Sequence, residues 1–201
     1  MLTLNRLTYQ WPGSKPQKVD LEATTGQIIL ISGRSGIGKT TLFDIISGFH
    51  EPKSGSLMWN GENLLQKPPW VRPVSIMFQA DNFFPHLSVR DNIMLGLNNS
   101  SEIATKMCNK LEFLRVLSLL DRRTEQLSGG ELQRVTLVRA LMREKPILLL
   151  DEPFSALDKT MTENASDLIF KHTKETQSVT LIISHQDVSL HLNISHKIEL
   201  K

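Results

Sequence analysis

The sequence predicts an α/β domain, and two features of the chain carry that prediction. Apolar runs of strand length alternate with segments whose apolar residues recur at helical spacing, as expected of strands joined by helices. One short apolar run, Ile28–Ser32, leads into glycines and then into a helix predicted at Lys39–Ser47. A second apolar run, residues 147–150, ends in an acidic pair and fits a strand buried in a parallel sheet.

Local patterns predict the other elements. The near-alternation between Met1 and Trp11 predicts a strand, and residues 57–59 before Asn60-Gly61 predict a hairpin, since both turn residues tolerate positive φ. The stretch 85–127 has helical apolar spacing and is predicted to be an inserted helical segment. Further strands are predicted at residues 74–78, 179–184 and 196–200, and a helix is predicted at residues 159–174. Another helix is predicted after Leu127, with one apolar stripe made of Leu132, Val135, Val138 and Met142.

Composition narrows the class of protein. The 201 residues are 40% hydrophobic and 22% charged, which suits one soluble domain with an insertion. The net charge of +2 and the scattered basic residues argue against nucleic acid as a partner. The single cysteine, Cys108, fits a reducing compartment. The start of the chain lacks signal-peptide character, and no apolar run approaches the roughly 18 residues of a membrane span, so we expect a cytosolic location.

Residues 33–40 predict a phosphate-binding loop. They read Gly-Arg-Ser-Gly-Ile-Gly-Lys-Thr between a predicted strand and a predicted helix. The glycines turn backbone N–H groups inward, and the helix directs the positive end of its dipole at the same point. Lys39 supplies a charge for the β- and γ-phosphates, and the Thr40 hydroxyl suits Mg²⁺. The predicted nucleotide contacts here are Gly33, Arg34, Ser35, Gly36, Ile37, Gly38, Lys39, Thr40 and Thr41.

Four polar residues are predicted at the carboxyl edge of the same sheet, where open α/β sheets bind ligands. Asp151 is predicted to orient Mg²⁺ through water, and Glu152 to polarise the water that attacks the γ-phosphate. His185 is predicted to hydrogen-bond the γ-phosphate, and Gln79 to contact Mg²⁺ and water. Alone, such an acidic pair is more often a capping turn and such a histidine is more often structural, so the phosphate-binding loop decides the interpretation.

Residues 127–131, Leu-Ser-Gly-Gly-Glu, predict a second anion site. Ser128 and Glu131 form the pattern of a capping box. Gly129 and Gly130 between them leave backbone N–H groups exposed at a helix start. Because this segment is far along the chain from the phosphate-binding loop, it is predicted to serve the nucleotide of another subunit.

Together these motifs closely resemble the ABC ATPase family over nearly the whole chain. The resemblance implies a P-loop NTPase core of ABC ATPase type at residues 1–84 and 128–201, with an N-terminal antiparallel β subdomain and a helical subdomain at residues 85–127. It implies ATP and Mg²⁺ as cofactors and a head-to-tail dimer of two copies, with the loop containing Asp158 crossing the interface. The family places an aromatic ring on the adenine; Trp11 fits best, and Tyr9 is the alternative.

Within the family, the chain resembles importer subunits. Residues 72–79, 92–97 and 143–158 are most similar to the ATPases of bacterial thiamine importers, with ferric-iron and polyamine importers as alternatives. The resemblance implies integral membrane permease subunits, a periplasmic or extracellular substrate-binding protein acting indirectly, and a peripheral place on the cytoplasmic face of the inner membrane. The chain resembles the family's shorter members, without room for an accessory domain. The expected apolar contacts for a permease helix are Phe83, Phe84, Pro85 and Leu87.

Two other classes of function fit the sequence less well. An ABC ATPase that acts on DNA or ribosomes usually carries paired ATPase domains or long coiled coils, and the sequence has neither. A non-hydrolysing ATP-dependent interaction protein would not need Glu152 and His185. Both classes are therefore less favoured than a transport ATPase.

Glu131 gives the first testable prediction, because the family commonly has Gln at this position. A carboxylate there would repel the γ-phosphate unless its bond to the helix start holds it away. We expect Glu131→Gln to leave ATP hydrolysis unchanged or slightly raised in a phosphate-release assay. A large loss of activity would contradict this interpretation.

Overall fold

The structure, a computed structural model, describes residues 1–11, 13, 15–80, 83–185 and 192–201. Its strands are β1 (Leu2–Tyr9), β2 (Gln17–Ala23), β3 (Ile28–Ser32), β4 (Ser54–Trp59), β5 (Glu62–Asn63), β6 (Val74–Met77), β7 (Ile147–Asp151), β8 (Val179–Ile183) and β9 (His196–Glu199). Its α-helices are α1 (Lys39–Ser47), α2 (Val89–Met94), α3 (Ser101–Phe113), α4 (Gly129–Met142) and α5 (Lys159–Thr176).

A five-stranded parallel sheet in the order β6-β7-β8-β3-β9 forms the centre of the fold. All residues of β7 and β8 are buried, because both faces of the sheet are covered. Leu148 and Leu150 pack with α4, α5 and the 85–127 segment, whereas Ile147 and Leu149 pack with α1 and the second sheet. The α/β class and these parallel strands confirm the prediction.

The second sheet is antiparallel, in the order β2-β1-β4-β5. The predicted hairpin is confirmed: Asn60 and Gly61 connect β4 to β5 with φ of 48° and 82°. Strand β2 was not predicted, although every second residue from Gln17 to Ala23 is buried. Its alternation was a usable signal, weakened by the polar Gln17 at an inward position.

Between residues 85 and 127 the structure has helices α2 and α3 and short 3₁₀ turns at Leu117–Leu119 and Thr124–Gln126. The predicted helical character is therefore confirmed, with one isolated bridge, Ser88 to Arg123, as extended pairing in this stretch. Among the helices of the described residues, none combines the length and hydrophobicity that a bilayer crossing requires.

Helix α4 corrects one prediction. Val135, Val138 and Met142 are buried as predicted. Leu132 is only partly buried, and burial is not confined to one stripe, because all four residues from Val135 to Val138 are buried. The reason is position: α4 contacts β6 and β7 as well as α2, α3 and α5. From Val135 to Met142 only Arg139 is not buried, so the spacing of apolar residues in this half of the helix does not show one inward direction.

His172 on α5 is a buried titratable group. It is 2% exposed, and its Nε2 has no hydrogen-bond partner among the described residues. Burial, helped by the charge of Lys110 on α3, lowers the pKa of His172 to about 4. The neutral imidazole is therefore the form that the fold accommodates.

Acidification should therefore destabilise the fold. Because the folded pKa lies below the unfolded value, stability is fully present above about pH 6.5 and is lost as the pH falls towards 4. As the pH falls from 7 to 5, the titration of His172 should lower the free energy of unfolding by about 2 kcal/mol. We expect His172→Leu to reduce the measured pH dependence by this amount in urea unfolding. The exposed His196 provides the control variant, His196→Gln; an unchanged slope in His172→Leu would disprove the assignment.

Candidate active site

The loop of residues 33–38 joins β3 to α1 and wraps around the Lys39 side chain. The Lys39 ammonium donates hydrogen bonds to the carbonyls of Gly33 and Arg34, at 2.9 and 3.0 Å. Burial lowers the pKa of Lys39, while the negative charges of Glu152 and Asp151 act in the opposite direction. The loop thus holds a cation at the first turn of α1, the arrangement predicted for a phosphate site.

Gly38 shows why this loop needs glycine. Its φ is 106°, and a Cβ at this position would lie 3.1 Å from the ring of Tyr9. Any other residue would combine an unfavourable backbone conformation with a tight contact that a buried ring would have to shift to relieve.

The buried ring of Tyr9 packs against the loop at Gly38. It is 1% exposed, and burial raises its pKa above the usual value. The alternative assignment of Tyr9 to an adenine is therefore wrong, because a ring packed into the core under Gly38 has no free face. Trp11, which is 51% exposed, lines the cavity beside the loop. Adenine stacking on Trp11 stays a prediction.

Asp151 and Thr40 meet across the sheet edge. The Thr40 hydroxyl donates to Asp151 Oδ2 at 2.8 Å. Burial raises the pKa of Asp151, and the hydrogen bond from Thr40 opposes that shift. Gln79 is exposed and lines the same cavity. This set of hydroxyl, carboxylate and amide oxygens is the type of donor that Mg²⁺ prefers, so the residues fit a magnesium ion.

Glu152 and His185 lie next to Lys39. The imidazole Nε2 of His185 is 3.5 Å from Glu152 Oε1 and 3.3 Å from Lys39 Nζ. The backbone N–H of His185 donates to Glu152 Oε2 at 3.4 Å. Glu152 is almost fully buried, whereas the His185 side chain is 52% exposed at the mouth of the cavity. Three predicted residues from three separate segments are therefore brought into contact.

The cavity that joins these groups has a volume of about 280 Å³. Gly33, Arg34 and Ile37 belong to the loop but do not contribute to this wall in the described structure. Asp44 does contribute and was not predicted; it lies one helical turn after Thr40, a spacing that could have identified it. The predicted residues that line the cavity are Trp11, Ser35, Gly36, Gly38, Lys39, Thr40, Thr41, Gln79, Asp151, Glu152 and His185.

The second predicted anion site starts α4. Ser128 is the N-cap, and its N–H and hydroxyl donate to Glu131 Oε2 at 2.8 and 2.7 Å. These bonds lower the pKa of Glu131. The capping box is confirmed, and it directs the carboxylate back to the helix start. Within the described structure, residues 128–131 do not line the cavity of the phosphate-binding loop.

Comparison with known proteins agrees with this geometry. The ABC transporter family matches residues 16–155. The thiamine import ATP-binding protein ThiQ of Histophilus somni is 42% identical over 186 residues, 90% of this chain and 87% of that protein. The ThiQ protein of Vibrio cholerae is 39% identical, over 92% of this chain and 79% of that protein.

Solved structures give the same result for the fold. A dimeric bacterial ABC transporter cassette has a TM-score of 0.86 and 26% identity, covering 100% of this chain and 94% of that chain. A dimeric post-hydrolysis state of an ATP-binding cassette with ADP and Pi has a TM-score of 0.85 and 26% identity, with the same coverage.

Lys39 provides the prediction for this site. In Lys39→Ala the loop loses the only side-chain cation that the described cavity wall contains. We expect the dissociation constant for ATP to rise by roughly 10-fold or more, because a charge-assisted hydrogen bond is lost. Isothermal titration would measure it, with Lys18→Ala on the antiparallel sheet as the control. An unchanged dissociation constant would argue against the phosphate site.

Proposed function

Because the chain belongs to the ABC transporter family, as an ATP-binding and ATP-hydrolysing subunit, we propose that it powers the import of a small nutrient, thiamine. The contact of Glu152, His185 and Lys39 in one cavity is the observation that carries the hydrolytic role. Identity of about 40% to thiamine import ATP-binding proteins of several bacteria supports the cargo. Ferric-iron and polyamine import are the alternatives.

The geometry supports the following roles in hydrolysis. Lys39 binds the β- and γ-phosphates, and the loop N–H groups surround them. Glu152 accepts a proton from the attacking water, and His185, within 3.5 Å, orients that water and the γ-phosphate. Thr40, Asp151 and Gln79 would hold Mg²⁺, which would neutralise charge on the phosphates.

A head-to-tail dimer accounts for the separation of the two anion sites. Solved relatives of this fold are dimeric cassettes. Ser128 and Gly129 are exposed at the start of α4, and in the dimer they would cover the nucleotide of the second copy. Asp158, which caps α5 by accepting from the Met161 N–H, begins the helix that follows the crossing loop.

A permease is the proposed membrane partner. A groove of about 580 Å³ lies beside Phe83 and Phe84, and its rim includes Trp70, which is 83% exposed. Phe83 also packs on the core, and Arg139 lies 5.6 Å from its ring. Pro85 and Leu87, which were expected to take part, do not line this groove in the described structure.

Association with a permease would also set the location of the chain and its relation to the substrate-binding protein. The chain would lie on the cytoplasmic face of the inner membrane, and a periplasmic or extracellular substrate-binding protein would act on it only through the permease. We also propose the division into a core at residues 1–84 and 128–201 and a helical subdomain at residues 85–127. The contact of α4 with α2 and α3 joins these two parts.

Transport can be tested by reconstituting the chain with the permease and binding protein of a bacterial thiamine importer. We expect ATP-dependent uptake of thiamine, and not of ferric iron or polyamines. Glu152→Gln is the matched control: it should bind ATP, remain as a closed dimer in gel filtration, and lose turnover on the order of 100-fold or more.

Two results would count against the proposal. Uptake of iron or a polyamine, with no uptake of thiamine, would show that the proposed cargo is wrong and would leave the ATP-hydrolysing role in place. Turnover of Glu152→Gln within several-fold of the wild type would remove Glu152 as the base.

A further inference from the structure

The side chain of Gln133, in the second turn of α4, makes hydrogen bonds that the function described so far does not use. Its Nε2 donates to the Glu152 carbonyl at 2.7 Å and to Ser155 Oγ at 2.9 Å. Its Oε1 accepts from the Ala156 N–H at 2.6 Å. Both ends of the amide are thus bound to the segment of residues 152–156, which begins with the proposed base.

Glu152 has a backbone conformation that needs such support. Its φ of 52° lies in the left-handed region, which is unfavourable for a residue with a Cβ. The Glu152 N–H donates to the Ile183 carbonyl at 2.9 Å, and the Glu152 carbonyl also accepts from the N–H and hydroxyl of Ser155, at 3.3 and 3.2 Å. The bond from Gln133 is the shortest of those to this carbonyl.

A second contact holds α4 against the same segment. A Cβ on Gly130, in the first turn of α4, would lie 3.0 Å from the carbonyl of Ala156. The backbone of the helix start therefore approaches the 152–156 segment closely, and Gln133 lies one turn further along. Helix α4 therefore contacts the 152–156 segment at two positions, Gly130 and Gln133.

We propose that Gln133 is a positioning residue for ATP hydrolysis, which acts by fixing the Glu152 backbone so that its carboxylate stays beside His185 and Lys39. The rotamers that the Glu152 side chain can adopt depend on its backbone φ and ψ. The hydrogen bond from Gln133 to the Glu152 carbonyl resists rotation of the peptide that joins Glu152 to Pro153, and so holds these angles. Gln133 itself does not line the cavity of the phosphate-binding loop in the described structure, so its role is indirect. The inference rests on the proposed role of Glu152 as the base.

The experiment compares Gln133→Met and Gln133→Glu with the wild-type chain in steady-state ATP hydrolysis. Methionine keeps the length of the side chain and removes every hydrogen bond. Glutamate keeps an acceptor for the Ala156 N–H but cannot donate to the Glu152 carbonyl. We expect kcat to fall roughly 10-fold or more in Gln133→Met and at least as much in Gln133→Glu, because the glutamate carboxylate repels the Glu152 carbonyl, while KM for ATP and Tm change little.

Two controls separate positioning from a general structural effect. Gln66→Met changes an exposed glutamine and should leave kcat within about two-fold of the wild type. In single-turnover phosphate release, Gln133→Met should cause no further loss when Glu152→Gln is already present, because both changes act on one group.

Each outcome decides the proposal. Wild-type kcat in Gln133→Met, with an inactive Glu152→Gln, would overturn the role of Gln133 and leave the base in place. A rise in KM together with a lower Tm in both Gln133 variants would also overturn it. Full activity of Glu152→Gln would overturn the base and, with it, this inference.

Discussion

The burial of β7 and β8 on both faces is the constraint on which the rest of the structure depends. In these two strands, which have no solvent face, the only charged residue is Asp151 at the end of β7. Because β3, β7 and β8 are parallel, their carboxyl ends meet at one edge, and the charged side chains that follow them are forced together there. Buried charges need partners: Asp151 Oδ2 accepts from the Thr40 hydroxyl and Glu152 Oε2 accepts from the His185 N–H, while Glu152 Oε1 has no hydrogen-bond partner among the described residues.

The sequence predicted the parts of the site whose chemistry is local. The phosphate-binding loop, the acidic pair and the capping box each occupy a few consecutive residues, and the apolar strands before the first two indicated their place in the sheet. The parallel strands and the hairpin at Asn60 were predicted for the same reason. These patterns are short enough that tertiary contacts do not change their meaning.

Other features depend on contacts between distant residues and could not be predicted in this way. The pairing of β1 shifts register between Leu4 and Leu7, Tyr9 ends the strand beside Gly38, and Trp11 lies beyond it. The alternation of apolar residues breaks at the same place, but this pattern does not show which distant residue Tyr9 contacts. The link from Gln133 to Ala156 joins residues 23 positions apart, and glutamine on a helix gives no signal of its partner.

The hydrogen bonds from Lys39 to the Gly33 and Arg34 carbonyls have a consequence for affinity. They tie the first turn of α1 back to the start of the loop, so the side chain that carries the charge also braces the backbone around it. Truncating Lys39 therefore removes a positive charge and a support of the loop together. A loss of affinity in such a variant measures both effects, and it is not the contribution of the charge alone.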